Sequence, residues 1–139
     1  MTASPDPADG LADFAGLQTL LVEDNARLRG VMQHSLEMLG CRVATAADAT
    51  EALARLDSTP GLRLLVSDVR MPGSLDGIAL AQRATTRQPA LRALLLTGYA
   101  AQPVPGFAVL YKPFTLEELS QAIAAVLRPT AGATPPGAG

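Results

Sequence analysis

Residues 64–70 read Leu64-Leu65-Val66-Ser67-Asp68-Val69-Arg70, an apolar run that ends on a carboxylate. The turn-forming stretch Ser58-Thr59-Pro60-Gly61 stands just before it, so the run begins after a chain reversal. Leu64, Leu65 and Val66 are apolar without alternation, the pattern of a strand covered on both faces. A charge at the end of such a strand is costly unless something pairs with it. The fold must therefore cover both sides of this run and supply Asp68 with a partner.

Upstream, Leu20-Leu21-Val22 is a run of the same kind, ending in Glu23 and Asp24. Residues 25–39 then carry Leu28, Val31, Met32, Leu36 and Leu39 at helical spacing, and Gly40 ends that helix. Cys41 to Ala46 reads as a strand, and the single cysteine in it as a small packed residue. Asp48 with Glu51 makes a capping-box-like start for a helix to about Asp57. Downstream, a helix from about Gly77 to Arg87 carries Ile78, Leu80, Ala81 and Ala84, and Pro89 follows it. Ala93–Leu96 and Phe107–Leu110 read as the fourth and fifth strands. Thr115, with Glu118 three positions on, caps a last helix bearing Leu116, Leu119, Ile123 and Val126. Pro129 stops it. Short apolar strands alternating with helices predict an α/β doubly wound parallel sheet. In such a sheet the site lies at the carboxyl ends of the strands.

Composition bounds what the chain can do. Its 139 residues suffice for one domain. Residues 1–16 and 129–139, rich in Ala, Pro and Gly, read as flexible tails around a folded unit at 17–128. A formal net charge of −2 gives no basic face for nucleic acid. Cys41 is the only cysteine, which excludes an internal disulfide. No signal peptide and no membrane-length apolar run is visible, so a cytoplasmic protein, not associated with membrane, is expected. No spare hydrophobic segment suggests a tight oligomer, and a monomer or weak dimer is expected. His34 lies mid-helix off the apolar stripe and reads as solvent-facing.

The strand ends carry the chemistry. Glu23 and Asp24 follow the first strand, Asp68 ends the third, Thr97 ends the fourth, and Lys112 follows the fifth. Converging carboxylates raise one another's pKa, and a hard divalent cation such as Mg²⁺ relieves them. A carboxylate beside that cation can attack phosphorus and form an acyl phosphate. The phosphoryl charge then needs a metal, an ammonium and a hydroxyl donor. Lys112 is the only lysine, all ten other basic residues being arginine; an ammonium is a compact point charge suited to a phosphoryl oxygen.

LLVEDN (20–25), LLVSDVRMPG (64–73), LLLTG (94–98) and LYKPF (110–114) together resemble the receiver domains of bacterial two-component systems. The resemblance spans about residues 18–128. It implies a flavodoxin-like five-stranded parallel sheet in the order 2-1-3-4-5. It implies Asp68 as phosphoacceptor, Asp24 as a direct Mg²⁺ ligand, Glu23 as a ligand through water, and the Arg70 backbone carbonyl as another. Thr97 and Lys112 would take the phosphoryl oxygens, and the Lys112-Pro113 peptide is a candidate for cis. The phosphodonor would be a histidine kinase or a histidine phosphotransfer protein, and output would pass to an unknown protein partner or along a phosphorelay. With few residues after Arg128, a stand-alone receiver is expected.

Two features depart from the family's pattern. Thr97 and Lys112 are close in sequence, and Pro103, Pro105 and Gly106 crowd the interval. Such residues suit helix interiors poorly, so the family's fourth helix is expected to be shortened or missing. The family's aromatic switch position, three before the lysine, holds Val109; Tyr111 and Tyr99 are near but not equivalent. Other functions fit less well. A phosphatase of the haloacid dehalogenase type carries a second aspartate where Arg70 stands. A flavodoxin-like FMN protein needs a phosphate-cradling loop where Glu23-Asp24 would repel it. A degenerate receiver acting as a phosphorylation-independent adaptor is the remaining alternative, against which all the chemical residues are intact.

Overall fold

The computed structural model describes residues 14–71, 73, 75–98 and 106–128. Strands β1 (Gln18–Val22), β2 (Arg42–Ala46), β3 (Leu64–Asp68), β4 (Arg92–Thr97) and β5 (Ala108–Tyr111) form one sheet in the order β2-β1-β3-β4-β5. Every pairing is parallel. Helices α1 (Ala26–Met38), α2 (Ala49–Ser58), α3 (Gly77–Arg87) and α4 (Leu116–Leu127) are the helices among the described residues.

The pleat explains why the central strands are apolar at every position. Leu20, Val22, Leu65 and Leu95 point to one face, where they meet Ala52 and Leu56 of α2 and Leu80, Ala81 and Ala84 of α3. Leu21, Leu64, Val66, Leu94 and Leu96 point to the other, against Met32 and Leu36 of α1 and Leu119 and Ile123 of α4. All of β3 is buried, as its sequence requires. Each fully buried leucine of this kind contributes about 1.5–3 kcal/mol of transfer free energy.

The helix starts follow the sequence signals. Asn25, Asp48, Asp76 and Thr115 each accept a backbone N–H of the first turn. Thr115 and Glu118 make a complete capping box: Glu118 N–H donates to Thr115 Oγ1 at 3.0 Å, and Thr115 N–H donates to Glu118 Oε1 at 2.8 Å. At α2 the box is displaced, since Glu51 Oε1 accepts from Ala47 N–H at 2.9 Å. The caps fix where each helix leaves the sheet. Thr115→Ala should lower stability by about 1 kcal/mol, and the melting temperature by about 4 °C in thermal circular dichroism. An unchanged melt would show that the cap carries no weight.

Two expectations need correction. Of the expected apolar stripe on α1, Leu28 is 45% and Val31 58% exposed, and Met38 beside them is 61% exposed. The apolar residues of α1 span an arc wider than the roughly 100° a helix buries against a sheet, and the core takes Met32, Leu36 and Leu39. The boundary expected after residue 16 also lies inside the fold. Phe14 packs on the α1–α4 core, and Phe14 N–H and Gly16 N–H donate to the carbonyls of Leu39 and Gly40, both at 2.9 Å. Of the interval expected to lack a multi-turn helix, 99–106, residues 99–105 with Tyr99, Pro103 and Pro105 lie outside the described residues, as do 1–13 and 129–139 of the expected tails. Among the described residues no helix is long and apolar enough to cross a membrane.

Candidate functional site

A parallel sheet delivers the carboxyl ends of its strands to one edge. Val22 pairs with Ser67, Asp68 with Leu96, and Thr97 with Tyr111. The residues at and just past those positions therefore come to a common rim. Glu23 is buried there at 3% exposure and Asp68 at 8%, while Asp24 is exposed. Carboxylate oxygens of Glu23, Asp24 and Asp68 all lie within 4.8 Å of one another.

Lys112 reaches into this group from the end of β5. Its Nζ lies 2.7 Å from Asp68 Oδ1 and 4.0 Å from Glu23 Oε1. Its backbone N–H donates to the Thr97 carbonyl at 2.8 Å, which ties the end of β5 to the end of β4. The Lys112-Pro113 peptide is cis, as expected. The start of α1 holds Glu23: Arg29 Nη1 donates to its carbonyl at 2.8 Å, and Asn25 N–H donates to Oε2 at 3.1 Å.

One ammonium cannot balance three carboxylates. Burial foremost, then the hydrogen bond with Asp68, pushes the Glu23 carboxyl up to about 8, against the downward pull of the Asn25 N–H. At neutral pH the metal-free site thus favours a proton on Glu23. Three hard oxygen donors and an excess of negative charge are what a hard divalent cation takes, so the donor set fits such an ion.

Of the six expected site residues, Glu23, Asp24, Asp68 and Lys112 meet within measured distances. Thr97, half-buried, closes β4 on the same rim, and Arg70 is exposed two residues past Asp68. Val109 is half-buried against the α2–α3 core. Tyr111, 41% exposed, stands in register with Thr97, an adjacency visible only once the register is known. Sequence reasoning passed over Ser67, whose Oγ donates to the Asp68 carbonyl at 2.9 Å. The one signal was a hydroxyl inside an apolar strand.

The chain resembles known proteins in sequence and in fold. The chain is 37% identical over 114 residues to the C4-dicarboxylate transport transcriptional regulatory protein DctD of Rhizobium meliloti, covering 77% of this chain and 24% of that protein. It thus spans about a quarter of that relative's length. It is 37% identical over 115 residues to the response regulator receiver protein CpdR of Brucella abortus, covering 78% of this chain and 94% of that protein. The Vibrio cholerae chemotaxis protein CheY4 superposes with a TM-score of 0.72 at 29% identity, covering 81% of this chain and all of that one. The profile of the response regulator receiver domain matches residues 19–124. That match runs from the second residue of β1 into α4, across every strand that carries a site residue, and the chain belongs to the response regulator receiver domain family.

Proposed function

We propose that Asp68 accepts a phosphoryl group from a phosphohistidine and that the acyl phosphate acts as a switch or relay signal. The observation that carries this is the 2.7 Å contact of Lys112 Nζ with Asp68 Oδ1 inside the carboxylate cluster. Asp68 Oδ1 forms the bond to phosphorus as the P–N bond to the donor imidazole breaks, and the imidazole leaves with its electron pair and takes a proton. Lys112 moves from the carboxylate to a phosphoryl oxygen, and the Thr97 hydroxyl donates to another. Glu23, Asp24, Asp68 and the Arg70 carbonyl would hold Mg²⁺. When bound, that ion supplies positive charge to the phosphoryl oxygens. Buried Glu23 and Asp68 keep the reacting atoms at the floor of the rim, away from bulk water.

The phosphodonor is a histidine kinase or a histidine phosphotransfer protein. Support comes from α1, which begins at Ala26 after the cap Asn25 that follows Asp24, and whose first two turns expose Leu28 and Val31. A protein presenting a phosphohistidine to Asp68 covers those turns, and an apolar surface on the partner would bury those side chains. Val31→Asp should slow transfer from a phosphorylated histidine protein about tenfold, the weight of about 1.4 kcal/mol. Transfer from a small phosphodonor should stay unchanged, because that molecule needs no docking face. Equal slowing with both donors would remove α1 from the interface.

The direct test is intact-protein mass after incubation with acetyl phosphate and Mg²⁺. One added phosphoryl mass, absent when the metal is chelated, is the expected result. No gain with any donor would overturn the reading in favour of an adaptor that works unphosphorylated.

A further inference from the structure

We propose that Gly77 is a positioning residue for the phosphoacceptor, an inference that rests on the reading of Asp68 given above. The chain leaves β3 at Asp68 and returns to the same place as the first residue of α3. Asp76 caps that helix, its Oδ1 accepting from Ala79 N–H at 2.9 Å. Gly77 is buried, and its N–H donates to the Val69 carbonyl at 2.8 Å. A Cβ at Gly77 would overlap the Asp68 carbonyl oxygen and stand 2.8 Å from its carbonyl carbon and 2.9 Å from Val69 Cα. All three are backbone atoms, so no rotamer change can make room. The requirement is space and not backbone freedom, since Gly77 is not among the positive-φ glycines.

The same carbonyl is held from another side by Ser67 Oγ at 2.9 Å. The peptide that carries the nucleophile is therefore gripped by the Ser67 hydroxyl, by the bare Cα of Gly77 and by the Gly77 N–H on Val69. Any side chain at position 77 must push α3 away or push the Asp68 peptide toward the site. The second displacement moves Asp68 Oδ1 relative to Lys112, 2.7 Å away, and to the oxygens of Glu23 and Asp24. Misplacement of a reacting group by about 1 Å lowers rate about 100-fold. α3 thus reaches the site through one missing methyl group, and the motif Asp76-Gly77 joins a helix cap to the placement of the nucleophile.

The test compares Gly77→Ala with wild type and two controls. Gly30→Ala changes a glycine of α1 with nothing within 4 Å of its would-be Cβ. Leu56→Ala weakens the core from α2, on which no site residue lies. For each, the Mg²⁺ dissociation constant and the rate of phosphoryl gain from acetyl phosphate are measured where circular dichroism shows the protein folded. Gly77→Ala should bind Mg²⁺ about tenfold more weakly and gain phosphoryl about 100-fold more slowly. Gly30→Ala and Leu56→Ala should keep the wild-type Mg²⁺ constant, the latter despite a lower melting temperature. Wild-type values in Gly77→Ala, or an equal loss in Leu56→Ala, overturn the proposal. If Gly77→Ala does not fold, Ser67→Ala decides by the same two measurements: weaker Mg²⁺ binding supports the grip on the carbonyl, and wild-type values overturn it. A wild type that binds Mg²⁺ yet gains no phosphoryl sinks the phosphoacceptor reading alone, because the Mg²⁺ constants still judge Gly77.

Discussion

Asp68→Asn should gain no phosphoryl mass from acetyl phosphate or from a phosphohistidine protein, while remaining folded. Asparagine has the same shape and fits the same slot, where Asp68 is only 8% exposed. Its oxygen can still accept from Lys112, which stands 2.7 Å away in the wild type. What it lacks is a charged oxygen able to attack phosphorus and leave a stable acyl phosphate. Labelling should therefore fall below detection without a loss of structure, so mass spectrometry and a thermal melt must be read together. Equal labelling of variant and wild type would refute the assignment. Label retained in the variant and mapped to Glu23 or Asp24 would move the nucleophile within the cluster. The variant also removes one of the neighbours that push the Glu23 carboxyl up, so its electrostatics should change along with its chemistry.

Much of this was legible because the two faces of a buried parallel strand need the same kind of residue. Leu64-Leu65-Val66 could not be anything but a covered strand once a turn preceded it, and a carboxylate at its end had to meet a partner. The lone lysine after the fifth strand was the natural candidate, and 2.7 Å separates the two. Local signals gave the caps at Asp48 and Thr115 for the same reason: each needs only residues within one turn. What the sequence hid depends on contacts between distant segments. Leu28 and Val31 fit the helical period as well as Met32 and Leu36 do, and only the width of the sheet decides which are covered. Phe14 looks like part of a flexible tail until the turn at Leu39-Gly40 arrives to hold it. Gly77 reads as an ordinary helix start, because the backbone atom that forbids a side chain there belongs to Asp68, in another element. The upward push on Glu23 likewise comes from burial, a property of the folded chain.

In a chelating buffer, the metal-free protein should lose stability as pH rises from about 5 to about 8. Glu23 titrates near its ordinary value of 4.5 in the unfolded chain but at about 8 in the fold. Between those values the folded state keeps a proton that the unfolded state has released. Stability therefore falls with rising pH through that window and levels off above it. The full span is on the order of 5 kcal/mol, to be read as a falling denaturant midpoint at constant slope. The groups facing the carboxyl are Asp68, Asp24, Lys112 and the Asn25 N–H. Mg²⁺ should reverse the trend, because it binds the charged carboxylates of the folded state and competes with the proton. Its stabilising effect should thus grow with pH. Stability that stayed flat in chelator, or a Mg²⁺ effect equal at pH 5 and pH 8, would show that Glu23 is not forced into this state. Glu23→Gln should abolish the slope outright. Asp68→Asn should only flatten it, since burial remains while one charged neighbour has gone. A single carboxylate would then account both for the lost label and for part of the lost pH dependence, which a nucleophile outside this cluster could not do.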